Sequence, residues 1–246
     1  MFQTLERQPA YQAVSERIRR AILSGEIAAG ELLPTEADLC TQFGVTRSTI
    51  REAIRLLEYS GLLGRADRKR LVVKRPSTQL VGNSLSQAMQ MHQVSFKDVW
   101  EVAMGLEPMV AELAATAASA EDKARLEANL QRTTSVVDKP EALLESEIEF
   151  HNILAESTGN PALLMARAPL NELFYPAFGA VVRAISPGKR ILTAHQHICT
   201  AVLASDPAGA RSWMEKHMVD FRRGIEMAGL AFDAPVQSEQ WSAESA

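Results

Sequence analysis

Two cysteines in 246 residues, Cys40 and Cys199, are too few to staple a secreted scaffold and show no zinc-ribbon spacing. Both are read as reduced thiols. Aromatic residues reach only 6% against a hydrophobic fraction of 46%, so the core must be built mainly from Leu, Ala, Val, Ile and Met, which suits packed helices better than sheets. No apolar run approaches the roughly 18 residues that span a bilayer. The N-terminal stretch has neither a basic-then-apolar signal layout nor a lipidation motif, so a cytoplasmic protein with no membrane partner is expected. A charged fraction of 23% is ordinary for a globular chain and argues against wholesale disorder.

What is present is unevenly distributed. The net charge of −4 hides a head, residues 1–76, with 13 Lys+Arg and 9 Asp+Glu, hence +4, and a remainder of −8. A basic head on an acidic body fits a polyanion-binding module joined to something else, and the length favours two domains.

In the head, Val14, Ile18, Ala21 and Ile22 repeat at helical spacing, which predicts a helix over about 11–24. "EIAAGELLPTEADL" carries a turn glycine and Pro34, then Thr35 as N-cap of a second helix over about 36–43, with Gly44 as its left-handed stop. Thr46 caps a third helix to about Ser60, with Ile50, Ala53, Ile54 and Leu57 on one stripe. Two short helices around a glycine turn make a helix-turn-helix pattern. "LLGRADRKRLVVKR" then reads as a β-hairpin wing with a charged tip. Arg47, Arg51 and Arg55 lie at i, i+4, i+8 opposite the apolar stripe, with Ser48 and Thr49 beside them. Small hydroxyls allow close approach to DNA, and an arginine near a helix N-terminus can fork onto guanine in the major groove. An isolated arginine stripe is as often a solvated face; the preceding helix, the turn and the basic tip favour DNA.

From residue 77 the pattern is helical. Helices are expected over about 79–91, 95–119, 121–137, 140–158, 160–185, 188–205 and 207–229, broken at Pro140, "TGNP", "SPG" and "SDP". The fold class is therefore mainly α: an N-terminal winged helix-turn-helix over 1–76, then an all-α antiparallel helical bundle over 77–232. Residues 233–246 read as a flexible tail in which Trp241 could dock. Glu147 and His151 share a helix face, and His195 and His217 lie on two other helices. A bundle can point such groups at one divalent ion, but spacing alone leaves each histidine equally open to a core or surface role.

The segment "AVSERIRRAILSGEIAAGELLPTEADLCTQFGVTRSTIREAIRLLEYSGLL" resembles the winged helix-turn-helix of GntR-type bacterial transcription regulators over about 50 residues. The resemblance implies DNA reading by Thr46, Arg47, Ser48, Thr49 and Arg51, with Arg68, Lys69 and Arg70 of the wing on backbone or minor groove. Ala37 stands where the family often has arginine, and the wing tip lacks the usual Gly-x-Gly. Residues 145–164, 194–210 and 213–218 are similar to the FCD ligand-binding domain of the FadR subgroup. Matching by motif implies a metal set of Glu147, His151, His195 and His217, with Glu147 in place of the customary Asp or Asn and His197 as a decoy about 200° away on its helix. Zinc is the first choice, nickel or manganese the alternatives. Ala103 replaces an arginine suited to an effector carboxylate, so Arg167, Arg183 or Arg190 are the candidate cations, with Met104, Phe174, Tyr175 and Phe178 as candidate walls. The implied protein is a cytoplasmic homodimer on a pseudo-palindromic double-stranded DNA operator, repressing a catabolic operon under a small-molecule effector of the organic- or sugar-acid kind. The competing reading is a metal-dependent hydrolase fused to a DNA-binding head, with Glu145 or Glu149 as base. A structural chromatin protein is the third.

Overall fold

The computed structural model describes residues 8–66, 70–237 and 241. They divide into two compact units between Leu80 and Val81.

In the first unit, helix α1 (Ala10–Leu23) gives Val14 and Ile18 to the core. Helix α2 (Glu36–Phe43) starts at a capping box: the Thr35 hydroxyl accepts from the Asp38 N–H, and the Asp38 carboxylate accepts from the Thr35 N–H. Gly44, at φ 63, supplies the left-handed stop that lets the chain turn into the next helix. Helix α3 (Arg47–Tyr59) is capped by Thr46, whose hydroxyl accepts from the Thr49 N–H. Ile50, Ala53, Ile54 and Leu57 all turn inward and leave the arginine side of α3 to solvent. Strands β1 (Leu63–Arg65) and β2 (Leu71–Val73) pair antiparallel with Leu63 opposite Val73, both buried.

The stretch after Gly30, read as a turn, lies along β2: the Leu33 N–H donates to the Leu71 carbonyl and the Val73 N–H to the Glu31 carbonyl, each at 2.9 Å. Three extended residues between Gly30 and Pro34 are too few to show alternation.

The second unit is helical: α4 (Thr78–Met91, whose first turn belongs to the first unit), α5 (Phe96–Ala117), α6 (Ala120–Val136), α7 (Pro140–Ser157), α8 (Pro161–Ile185), α9 (Gly188–Leu203) and α10 (Pro207–Met227). Serine–aspartate capping boxes open α5 and α6, and prolines at the first position open α7, α8 and α10, where the missing N–H costs no bond. Helix α5 is the hub, packed on α7, α8, α9 and α10. Its buried Ala103, Ala111, Ala114 and Ala115 allow the close approach. No helix among the described residues is long and apolar enough to cross a membrane.

The expected loose tail is docked where it is described. The Phe96 N–H donates to the Ala234 carbonyl and the Val236 N–H to the Val94 carbonyl. Trp241, 2% exposed, donates its indole N–H to the Pro235 carbonyl and lies 5.2 Å from the Phe96 ring. Trp241 docks as its sequence allowed, and the polar composition concealed a second apolar anchor, Val236, that the bundle also buries.

Gly188 opens α9 directly against the end of α6, where a Cβ would collide with the Val137 carbonyl oxygen. Gly188→Ala should therefore lose about 1–3 kcal/mol of stability in urea denaturation. A change within about 0.5 kcal/mol, the range of a neutral surface substitution, would show that α9 does not need this approach.

Candidate functional site

On the first unit, Thr46, Arg47, Ser48 and Arg51 are exposed on α3, and Thr49 is half-buried beneath them. Arg47, Arg51 and Arg55 line one open hollow with Thr35, Ala37 and Arg65. Arg51 is held there by Glu36, 3.0 Å away, and Arg65 by Glu58 at 3.2 Å. The hydroxyls of Ser48 and Thr49 gather on the Thr46 hydroxyl at 2.9 and 3.0 Å. Arg70 is exposed at the foot of β2, while Arg68 and Lys69 lie outside the described residues.

In the second unit, Glu147 and His151 from α7, His195 from α9 and His217 from α10 converge, all buried, with one ligand atom from each within 4.8 Å of the others. The Glu147 carboxylate stands at the centre, 2.9 Å from His217 Nε2, 2.9 Å from His195 Nε2 and 3.4 Å from His151 Nε2. His151 and His217 face each other through Nε2 atoms 3.4 Å apart. Phe150 stacks on the His195 ring at 3.7 Å and fixes its plane.

Two features make this arrangement suited to a cation. Glu147 Oε2 and His195 Nε2 stand 2.9 Å apart, and both are buried without a hydrogen-bond partner. Ligands about 2.0–2.1 Å from a tetrahedral zinc would stand about 3.3 Å apart, near the 2.9 and 3.4 Å from Glu147 Oε1 to His217 and His151, while His195 meets the other oxygen, Oε2, at 2.9 Å.

A second ring of polar contacts orients the first. Glu107 of α5 takes the His151 Nδ1 atom on one carboxylate oxygen at 2.7 Å and the Arg167 Nε–H of α8 on the other at 2.5 Å. That fixes the His151 ring with Nε2 facing Glu147 and His217. Burial alone would raise the Glu107 pKa, but the charges of Arg167 and His151 outweigh it and bring the carboxyl down to about 2. Burial would likewise lower His151, and Glu107 reverses this, raising it to about 9. His195, where burial dominates over the Glu147 charge, falls to about 4. Glu147 is held well below the usual carboxylate range: burial opposes its charge, and the imidazoles of His195 and His217 overcome that opposition.

Beside this cluster lies a cavity of about 40 Å³, room for about three waters. Ala103, Glu107, Arg167 and Tyr175 line it, together with Phe174, Phe178 and Phe221. Arg167 is the one candidate effector cation that reaches it. Arg190 pairs with Asp220 at 3.4 Å and lines a smaller pocket on the other side of His217, and neither Arg190 nor Arg183 lines this cavity. Met104 is also absent from its walls. His197 is exposed and stacks on Trp213 at 3.7 Å. Glu107, Asn152 and Asn171 were missed from the sequence. The available signal was a carboxylate set among apolar helix residues at Glu107, which burial makes costly unless paired.

The two units are now comparable with known proteins. Residues 98–220 match the FCD domain, and residues 10–73 match bacterial regulatory proteins of the gntR family. The chain is 28% identical over 219 residues to the HTH-type transcriptional repressor NanR of Cronobacter sakazakii, covering 87% of this chain and 84% of that one. The NanR of Salmonella schwarzengrund is 27% identical over 219 residues, at 87% and 83% coverage. Among solved structures, Streptococcus agalactiae GntR matches with a TM-score of 0.63 at 27% identity, covering 87% of this chain and 99% of that one. In class the protein is a transcription regulator and not an enzyme. It belongs to the GntR family of bacterial regulators, in the FadR-type arrangement of a helix-turn-helix followed by an FCD domain. The hydrolase reading has no support: Glu145 is exposed, and Glu149 is engaged by Arg132 and Asn129.

Removing the Arg167 guanidinium would leave the Glu107 carboxylate buried with half its partners. Arg167→Met should cost about 3–5 kcal/mol in urea denaturation, and the pair Arg167→Met with Glu107→Gln should recover more than half of that loss. A single-variant loss under about 1 kcal/mol would mean the ion pair is not closed in solution.

Proposed function

We propose that the protein represses a catabolic operon from the cytoplasm, as a homodimer on a pseudo-palindromic double-stranded operator, and is switched by a small-molecule effector bound beside a metal ion. The observation that carries the DNA-reading part is the division of α3, with Ile50, Ala53, Ile54 and Leu57 sealed in the core and Arg47, Ser48 and Arg51 exposed on the opposite side. In this reading Thr46, Arg47, Ser48, Thr49 and Arg51 meet bases and phosphates, and Arg68, Lys69 and Arg70 of the wing grip the backbone. The repressor names of the NanR relatives agree with that sign of regulation.

The second unit would supply effector binding and dimerisation. Glu147, His151, His195 and His217 hold a divalent transition ion, zinc before nickel or manganese, and Arg167 faces the cavity beside it. For the dimer, α5 carries an apolar stripe at i, i+4, i+7 and i+11: Val102 at 48% and Leu113 at 37% exposure, with half-buried Leu106 and Met109 between them. Such a stripe fits a two-fold contact with a second copy. Effector binding would then weaken operator binding only to the extent that it favours the DNA-free arrangement.

Arg47→Ala and Arg51→Ala should each reduce operator affinity at fixed salt by about tenfold or more, with the melting temperature of the chain unchanged. Operator affinity equal to the wild type would remove α3 as the reading helix. In tag-free protein, His195→Ala with His217→Ala should abolish the metal content that the wild type retains in elemental analysis. Equal content in both would place any bound metal elsewhere.

A further inference from the structure

Three cavities of the helical unit meet at His217. It borders the inner cavity beside the cluster, a small pocket of about 10 Å³, and an open groove of about 430 Å³ between α9 and α10. Of the other three cluster residues, Glu147 and His151 border only the inner cavity, and His195 is in none of these walls. We infer that the metal ion is exchanged through the groove between α9 and α10 by an outward turn of His217, and that the ion pair of Arg190 with Asp220 bars this route. The inference rests on a divalent ion at the four-residue cluster and adds its way in and out.

The four groups are held unequally. His151 is braced from behind by Glu107, 2.7 Å from its Nδ1, and His195 lies under the Phe150 ring at 3.7 Å. Glu147 stands at the centre, in reach of all three imidazoles. Among the described residues, the polar and ring contacts of His217 are all with the cluster itself: Glu147 at 2.9 Å, His151 Nε2 at 3.4 Å and the His195 ring at 5.1 Å. With no outer partner orienting its ring, His217 is the ligand that can leave with least disturbance.

It also has somewhere to go. The small pocket, with room for about one water, shares Phe178, His217 and Phe221 with the inner cavity and Arg190, His217 and Asp220 with the groove. A change of rotamer therefore carries the imidazole toward open volume without moving a helix. The α8 side of the inner cavity is tied shut by comparison. There the Tyr175 hydroxyl donates to Asn171 Oδ1 at 3.1 Å, the Asn171 amide donates to Asn152 Oδ1 at 3.1 Å, and Arg167 Nη1 donates to both asparagine oxygens at 2.9 and 3.0 Å. Opening that side breaks several hydrogen bonds, whereas opening the groove breaks one 3.4 Å ion pair whose side chains are both more than a third exposed.

The groove has a charge of its own. Lys189, Arg190 and Lys216 line it against one carboxylate, Asp220. Such a mouth draws in anions and repels bare cations. An anionic carrier that enters it would take the coordination place that His217 gives up, so that the metal leaves on the carrier.

The test uses the full-length chain, with zinc content measured in every sample and release timed by two chelators, neutral 1,10-phenanthroline and the dianion dipicolinate. Thr193→Phe fills the groove from an exposed wall position and should slow release to both chelators about tenfold or more, with equilibrium zinc affinity within about threefold of wild type. Arg190→Gln removes the bar and should speed release to phenanthroline about threefold or more. Lys189→Gln with Lys216→Gln should slow dipicolinate about threefold or more and leave phenanthroline unchanged. In metal-free protein, diethylpyrocarbonate treatment and peptide mass mapping should find His217 modified ahead of His195. Thr193→Phe should suppress that modification, while the exposed His92 reacts equally in both. A wild-type release rate in either Thr193→Phe or Arg190→Gln overturns the route, as does modification of His195 ahead of His217. Zinc that is held but leaves by another face removes the route alone and keeps the metal reading. A chain that takes up no zinc removes both.

Discussion

A carboxylate at the centre of three imidazoles, shut away from water, is the constraint around which the helical unit is organised. Among the described residues Glu147 pairs with no guanidinium or ammonium; its neighbours are His151, His195 and His217. An ionised carboxylate in such a place is costly unless a compensating charge arrives. Three helices have to meet to create that position, so α7, α9 and α10 are tied to one point and α5 must pass close enough for Glu107 to reach His151. The alanines of α5 permit that approach, and the ion pair of Glu107 with Arg167 extends the same network into α8. Every helix that borders the cavity thus contributes to one connected set of charges, which gives a ligand there leverage on the whole bundle.

The head works by different physics. Its core is small and built from apolar side chains such as Ile50, Ile54 and Leu57, and its function lies in what α3 leaves outside. Glu36 holding Arg51 shows how an exposed cation can be kept in place before DNA is present: a surface pair of this kind is worth little in stability and gives way readily to phosphate. The hydroxyl cluster of Thr46, Ser48 and Thr49 caps the helix and shortens the distance at which a groove can be approached.

Much of this was legible in the sequence because it is governed by local rules. Helix starts at Thr35, Ser95 and Ser119 and stops at Gly44 depend on residues three or four apart, and the seven helices of the second unit fall within a few residues of their expected ends. The four cluster residues came from motif resemblance, since nothing in spacing alone joins His195 and His217 to Glu147. What stayed hidden depends on long-range partners. Glu107 meets Arg167 across 60 positions, and the Leu32 bridge to Val72 joins a loop to a wing. The docking of Trp241 depends on Phe96, far back in the chain. The candidate arginines differed only in which way their helices face: Arg167 enters the cavity, while Arg190 meets Asp220.

The most direct test of the central claim is anomalous diffraction at the zinc absorption edge from crystals of the tag-free protein. The account predicts a single strong peak with Glu147, His151, His195 and His217 each about 2.0–2.2 Å from it. A peak bound by other residues, or crystals of the zinc-loaded chain with no peak between these four, would contradict it.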